Sequence, residues 1–120
     1  MSVNSPLNYL AYQCHAENAK WWHDINTGER LERNKGEMIA LMHSELSEML
    51  EAERKNLMDE KLPHRKGAEV EMADLLIRAF DYAGAYALDL DGAVAEKRAY
   101  NRTRQDHTKE ARLAANGKKW

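Results

Sequence analysis

The fold of this chain is decided by one stretch, Val70-Glu71-Met72-Ala73-Asp74-Leu75-Leu76-Ile77-Arg78-Ala79-Phe80-Asp81. Most of its residues are apolar, and at about 3.6 residues per turn they cover nearly the whole circumference of a helix. The polar residues fall on a single line at helical spacing, Glu71, Asp74, Arg78 and Asp81. A helix this apolar is expected at the centre of a helical bundle, with its polar line facing a cleft.

The remainder of the chain also favours helix, because β-branched residues and Pro are few whereas Ala, Leu, Met and Glu are common. We expect an all-α fold, a bundle of four to five helices. The four main helices are predicted at residues 6–24, 36–57, 68–88 and from Asp89 to about 104. Asn4-Ser5 and Asp89 are the predicted caps of the first and fourth helices. These helices form one domain over residues 1–104, and residues 105–120 form a basic tail.

Composition limits the cellular setting. A chain of 120 residues corresponds to one domain. Its single cysteine, Cys14, cannot form an internal disulfide, which indicates a reducing compartment. No apolar run is long enough to span a bilayer, and the first residues lack a signal-peptide pattern. We therefore expect a cytoplasmic protein without a membrane partner.

The charge is distributed unevenly. Residues 97–120 contain eight Lys and Arg and two acidic residues, a formal charge of +6 in a chain whose net charge is −2. The first 96 residues therefore carry −8. An acidic body with a basic end suits a cation site combined with an anionic ligand.

Two acidic pairs carry the chemistry, Glu45-Leu46-Ser47-Glu48 and Glu71-Met72-Ala73-Asp74. The spacing of three residues places both carboxylates of a pair on one helix face. Each pair repels by about 4 kcal/mol at the effective dielectric near a protein surface. A hard divalent cation with oxygen ligands removes that cost, and Mg²⁺ shared with substrate phosphates commonly occupies such a site.

Glu45 and Glu48 interrupt an apolar line made by Met38, Leu41 and Ala52, which runs beside a second stripe of Ile39, Met42, Leu46 and Met49. This interruption favours a metal site over the alternative, in which the acids lie on solvated faces and Asp74 pairs with Arg78. Di-iron and zinc sites are disfavoured, because Glu-x-x-His and His-Glu-x-x-His patterns are missing from the sequence and it has one Cys.

These motifs resemble those of the MazG-like all-α nucleoside triphosphate pyrophosphatases. The resemblance is carried by residues 36–48 (GEMIALMHSELSE), residues 71–78 (EMADLLIR), Asp89-Leu90-Asp91 and residues 96–101 (EKRAYN). The family pattern is an E-x-x-E, a spacer, an E-x-x-D, and then a Lys and an Asn one turn apart. The end of the chain is similar to the phage-type branch that includes dATP/dGTP diphosphohydrolases, which favours purine deoxynucleotides.

The resemblance implies a site and a reaction. Mg²⁺, with Mn²⁺ as a possible substitute, would be held by Glu45, Glu48, Glu71 and Asp74. A nucleoside triphosphate would be hydrolysed to the monophosphate and pyrophosphate, with Glu48, beside Glu45, as the preferred base. Lys97 and Asn101 would contact phosphate. Arg104 continues the same face of the fourth helix and is a further candidate. The protein would be a homo-oligomer, either a dimer or a tetramer of two tight dimers.

The nucleoside contacts are predicted at the end of the first helix, where His15, Asn18, Trp21 and Trp22 cluster. Trp can stack on a base and Asn can bond a base edge, so His15, Asn18 and Trp22 are the candidates for substrate binding. The alternative is that either Trp belongs to the core, as is common in small helical domains.

Two other functional classes remain open. A nucleic-acid-binding helical module would use the basic tail, with Tyr100 and Trp120 as stacking groups. The −8 body makes nucleic acid an unfavourable partner, because it repels a phosphate backbone. A purely structural helical oligomer would explain the apolar helices but not the matched acids.

Overall fold

The computed structural model of the protein describes residues 4–104 and 109–117. Within these ranges the chain forms α-helices and no β-strand, so the prediction of an all-α fold is confirmed. The helices are α1 (Pro6–Glu17), α2 (Lys35–Lys55), α3 (Gly67–Ala85), α4 (Leu90–Thr103) and α5 (Lys109–Leu113), with a short 3₁₀ helix at Ala19–Trp22. No helix in the described ranges is long and apolar enough to cross a membrane.

The chain divides into two compact units, Met1–Leu88 and Asp89–Trp120. The first unit contains α1, the 3₁₀ helix, α2 and α3, and the second contains α4 and α5. Of the predicted basic tail, residues 105–108 and 118–120 lie outside the described residues, including Lys118, Lys119 and Trp120. The predicted boundary between a domain and a tail at residue 104 stays a prediction.

Helix α3 has the central position that its composition predicts, because it packs against both α1 and α2. The contact with α1 is close at Gly84, where an added Cβ would lie 2.5 Å from the carbonyl oxygen of Ala11 and 2.7 Å from the Cβ of His15. Ala11 and Ala83 are buried there, at 3 % and 2 % exposure. Small residues on both helices thus allow the two backbones to approach.

The contact between α2 and α3 buries the line of α2 that carries an acid. Met38, Glu45 and Ala52 are its buried residues, and they recur every seven positions on one helix face. The neighbouring stripe is more accessible, since Ile39 and Leu46 are both more than two-fifths exposed. Of the two stripes that the sequence shows on this helix, the one interrupted by carboxylates therefore faces the interior.

The first helix is shorter than predicted. It ends at Glu17 rather than near residue 24, and the chain continues as the 3₁₀ helix to Trp22 before His23 becomes extended. The reason is the burial of Trp22, whose indole nitrogen bonds to Asp81 on α3. The change to a tighter helix lets the chain turn this side chain into the core.

The predicted caps are partly confirmed. Asp89 caps α4, with its carboxylate accepting a hydrogen bond from the Gly92 backbone N–H over 3.0 Å. Ser5 occupies the N-cap position of α1, but its side chain makes no capping hydrogen bond. Asn34 caps α2, and its side chain accepts from the Glu37 N–H over 2.9 Å.

The close approach of α1 and α3 generates a packing prediction. Gly84→Ala should lower the free energy of unfolding by about 1–3 kcal/mol, because the new methyl group overlaps backbone that cannot rotate away. Gly36→Ala is the matched control, since its Cβ meets only the Asn34 side chain, at 3.2 Å. Urea denaturation followed by circular dichroism measures both. A Gly84→Ala protein as stable as the Gly36→Ala protein would contradict the close helix contact.

Candidate metal centre

The acidic pairs on α2 and α3 meet where the two helices pack. One carboxylate oxygen each from Glu45, Glu71 and Asp74 lies within 4.8 Å of the other two. Glu45 is buried and the two α3 acids are half-buried. Residues 26 positions apart in the sequence are therefore brought together as a set of oxygen donors, as the motif spacing predicts for Glu45, Glu71 and Asp74.

Glu48 occupies the rim of this cluster. It is exposed, and it is not among the three acids whose oxygens converge. Its carboxylate is nevertheless near enough to affect the pKa values of both Glu45 and Glu71. The structure thus separates three inner carboxylates from an outer one, a distinction that the two equivalent sequence motifs do not show.

The inner carboxylates differ in protonation. Burial, followed by hydrogen bonds with Glu45 and Glu48 and their negative charges, raises the pKa of Glu71 to about 7. Burial also acts to raise the pKa of Glu45, but the hydrogen bond from Arg78 and those with Glu71 and Glu48 lower it overall. Glu71 is therefore protonated below about pH 7, a range in which an ordinary glutamate is already ionised, whereas the pKa of Glu45 stays below its usual value.

Asp74 is affected in the same direction as Glu71. Burial and the charge of Glu45 raise its pKa, while the positive charge of Arg78 opposes the rise. Negative charge on Glu45 is thus felt by both acids of α3. A cation at the centre of the three would relieve these repulsions together.

Two oxygens of the cluster have no hydrogen-bond partner among the described residues. They are Glu45 Oε2 and Glu71 Oε2, and both are buried. A buried carboxylate oxygen without a donor is costly, and native structures generally explain such an atom by an ion or a water. Oxygen donors of this kind fit a hard divalent cation, so the residues present match the metal that the sequence predicts.

Arg78 pairs with Glu45 across the two helices. Its Nε donates to Glu45 Oε1 over 3.0 Å. The alternative raised by the sequence, an Asp74–Arg78 pair along α3, is therefore not the ion pair that forms. The polar line of α3 faces α2 and a cavity rather than open water, as its composition predicts.

A cavity of about 700 Å³ adjoins the carboxylates, and Glu45 and Asp74 form part of its wall. Asn18, Trp21 and Arg33 line it as well, contributing an amide, an aromatic ring and a guanidinium. The remaining wall is mainly aliphatic. A cavity of this size accommodates a nucleotide-sized ligand. Its wall combines aliphatic side chains with charged and polar ones, which suits a ligand that is itself charged.

Asp81 organises the residues beside this cavity. Trp22 Nε1 donates to both of its carboxylate oxygens, at 3.0 and 3.2 Å, and His15 Nδ1 lies 2.9 Å from Oδ1. The Trp22 ring is edge-on to the rings of His15 and Tyr86, with centroids 5.3 and 5.8 Å away. This network joins α1 and the 3₁₀ helix to α3.

The predicted nucleoside contacts are therefore divided. Asn18 and Trp21 both line the cavity, and contact of Asn18 with a nucleoside stays a prediction. Trp22 is 1 % exposed, which favours the alternative that it is a core residue, and His15 is bonded to Asp81. Substrate contact by Trp22 and His15 stays a prediction. The sequence alone cannot distinguish these two adjacent tryptophans. In the 3₁₀ helix the Trp22 side chain is buried and the Trp21 side chain is exposed.

Two residues beside the cavity, Arg33 and Asp81, were not among the predicted site residues. Arg33 lies in the loop before α2, where a single charged residue gives no periodic signal. Its Nη1 donates to the Trp21 carbonyl over 3.1 Å, and its guanidinium lies 5.5 Å from the Trp22 ring centroid. Asp81 could have been found, because it continues the helical line of Glu71, Asp74 and Arg78.

The predicted phosphate contacts belong to the second compact unit. Lys97 and Asn101 are on α4, and Arg104 is its C-cap residue. The Lys97 Nζ lies 4.9 Å from the centroid of the Tyr100 ring, and the Arg104 Cζ lies 6.0 Å from it. Contact of Lys97, Asn101 and Arg104 with phosphate stays a prediction.

The raised pKa of Glu71 generates a prediction about stability. Its folded-state pKa of about 7 exceeds the ordinary value of 4.5, so the folded protein holds a proton that the unfolded chain releases. Its contribution to the free energy of unfolding should be fully present below pH 4.5 and lost as the pH rises to about 7. The measurement is urea denaturation of metal-free protein across this range.

Glu71→Gln should remove this loss, because glutamine does not titrate. Glu53→Gln, at an exposed acid of α2, is the control and should follow the wild-type profile. Parallel profiles for the Glu71→Gln and Glu53→Gln proteins would show that Glu71 does not hold the proton.

Comparison with known proteins finds no match: no family model, no curated protein and no solved structure is significantly similar to the chain. A functional assignment therefore rests on the residues of the candidate metal centre and on the cavity beside them.

Proposed function

We propose that this protein is a Mg²⁺-dependent nucleoside triphosphate pyrophosphohydrolase of the MazG-like type. It would convert a nucleoside triphosphate, with purine deoxynucleotides favoured, to the monophosphate and pyrophosphate. The observation that carries the proposal is the convergence of Glu45, Glu71 and Asp74 beside a cavity of about 700 Å³, with two buried carboxylate oxygens lacking a partner among the described residues.

Glu45, Glu71 and Asp74 would hold the cation, with Glu48 able to join them from the rim. Bound there, Mg²⁺ would neutralise phosphate charge and orient a water for attack on the phosphoanhydride. The same residues fit Mn²⁺, which also accepts carboxylate oxygens. Glu71 must lose its proton when it becomes a ligand, so cation binding should release protons near neutral pH.

Glu48 is the preferred general base. A base must be reachable by a water and must remain ionised while the inner carboxylates are engaged. Glu48 meets the first condition because it is exposed, and it is not among the three acids whose oxygens converge. Glu45 is then a ligand rather than a base, since it is 7 % exposed and paired with Arg78.

The nucleoside would occupy the part of the cavity lined by Asn18, Trp21 and Arg33. The Trp21 side chain is exposed enough to stack on a base, and the Asn18 amide can bond a base edge. Phosphate groups would extend from there toward Glu45 and Asp74. Lys97, Asn101 and Arg104 are proposed to bind phosphate on the strength of the family motif.

We also propose a homo-oligomer, a dimer or a tetramer. Large apolar side chains on α2 and α3 are well exposed in the single chain, among them Leu46, Leu50, Met72 and Leu76, which are 42 to 60 % exposed. A second copy of the same chain in a two-fold arrangement would cover such faces. A cytoplasmic location is proposed from the single, unpaired Cys14.

The activity is tested by two ligand substitutions. Glu71→Gln and Asp74→Asn should each lower the rate of Mg²⁺-dependent pyrophosphate release by at least ~100-fold, because loss of a ligand exceeds the 10–100-fold cost of losing an outer partner. Glu53→Gln is the control on the exposed side of α2 and should keep full activity. A panel of nucleoside triphosphates, with and without a chelator, supplies the substrates.

Circular dichroism of the same variants shows whether the helices are intact. An Asp74→Asn protein that releases pyrophosphate at the wild-type rate would overturn the proposed centre.

The oligomer is tested by light scattering at micromolar concentration. The wild-type mass should be at least twice that of the 13.8 kDa chain. Leu50→Glu should shift the protein toward the monomer, because it places a charge on the exposed apolar face at a residue that is itself 60 % exposed in the single chain. A wild-type mass equal to one chain would contradict the proposed assembly.

A further inference from the structure

Arg78 neutralises the buried end of the candidate metal centre. Its Nε bonds to Glu45 Oε1 over 3.0 Å, and the charge of the guanidinium also lowers the pKa of Glu45. The two side chains differ in accessibility, at 41 % exposure for Arg78 and 9 % for Glu45. A fixed interior carboxylate is thus paired with an arginine that reaches it from an open side.

The pair is built so that it can be broken at low cost. Arg78 uses one N–H group for Glu45, and its two terminal amino groups have no hydrogen-bond partner among the described residues. When the bond to Glu45 breaks, the guanidinium stays hydrated because it already contacts solvent. Glu45 cannot be left alone in the same way, since a buried unpaired carboxylate costs several kcal/mol.

Arg78 and a divalent ion would compete for one carboxylate. Glu45 accepts from Arg78 at Oε1, while its Oε2 is buried with no hydrogen-bond partner among the described residues. One oxygen of the same carboxylate lies within 4.8 Å of an oxygen each of Glu71 and Asp74. An ion held by these three acids would bring two further positive charges to a carboxylate that already has one. Repulsion between the ion and the guanidinium then weakens the pair.

Arg78 also lines the cavity, together with Asp74 and Arg33. A guanidinium released from Glu45 remains in that wall. Its planar set of donors matches the oxygens of a phosphate group, which accepts two parallel N–H bonds. The cavity side of the centre is where the phosphates of a bound nucleotide would lie.

We propose that Arg78 is a placeholder cation, meaning that its guanidinium neutralises Glu45 while no metal ion is bound. Once a divalent ion has bound, Arg78 leaves Glu45 and binds a phosphate group of the substrate instead. This inference rests on the proposed function for its substrate, but its first half concerns metal binding alone. It assigns Arg78 a role that neither acidic motif contains.

The test measures Mn²⁺ binding to the full chain by titration calorimetry, without nucleotide and above pH 7, where Glu71 is ionised. Arg78→Gln should bind Mn²⁺ roughly tenfold more tightly than wild type, the size expected for removing one competing charge-assisted hydrogen bond. Arg54→Gln is the matched control, an exposed arginine beside a surface acid of α2, and should not change the affinity. Arg78→Lys keeps a positive charge beside Glu45, so its affinity for Mn²⁺ should be close to that of the wild type. This variant provides a readout if the Arg78→Gln protein does not fold.

The second half is tested by kinetics. Arg78→Gln should raise the Michaelis constant for the triphosphate at saturating Mg²⁺ by about tenfold or more, since it removes a phosphate contact. Arg54→Gln should leave that constant unchanged.

The outcomes are distinguishable. Arg78→Gln with wild-type or weaker Mn²⁺ affinity overturns the placeholder role and leaves the metal centre intact. Tighter Mn²⁺ binding with an unchanged Michaelis constant overturns the phosphate contact. A wild-type protein that binds no Mn²⁺ overturns the proposed function and the inference together, whereas Mn²⁺ binding lost in Asp74→Asn supports the centre.

Discussion

The negative charge of Glu45 is the constraint on which the site depends. Glu45 lies on the face of α2 that packs against α3, seven residues after Met38 and seven before Ala52. Helix packing therefore determines its position. An ionised carboxylate there must be compensated, because desolvation costs several kcal/mol for an unpaired ion. Arg78 supplies a positive charge to one oxygen, and the proton retained by Glu71 reduces the repulsion around the other.

A second buried carboxylate, Asp81, shows what a purely structural solution looks like. Trp22 donates to both of its oxygens and the His15 ring nitrogen lies beside one of them, so its hydrogen-bonding capacity is used within the fold. Glu45 has one oxygen paired and one buried without a partner among the described residues. These two acids are similarly buried, but they differ in whether both carboxylate oxygens have hydrogen-bond partners. That difference separates a carboxylate whose partners lie within the fold from the one that we propose as a cation ligand.

The hydrogen-bond network of Asp81 and the cavity beside Glu45 are linked through the path of the chain after α1. Bonding of Trp22 to Asp81 ends α1 early and turns the 3₁₀ helix toward α3. The adjacent Trp21 and the preceding Asn18 then reach the cavity that Glu45 and Asp74 also line. A structural carboxylate thus positions the residues that would contact a nucleoside. Glu45 and Asp74 of the candidate metal centre lie in the same wall.

The sequence by itself determined the helical fold, the central place of α3 and the two acidic pairs that contain the converging acids, because these follow from periodicity and from the spacing of residues within one helix. It could not distinguish Glu48 from Glu45, nor Trp22 from Trp21, since neighbours with equal composition differ only in which way the packed helix turns them. It also suggested an Asp74–Arg78 pair along one helix, whereas Arg78 bonds to Glu45 on another. Partners across helices, the oxygens left unpaired and the cavity beside them were decided by the tertiary structure alone, because they depend on distances between segments far apart in the chain.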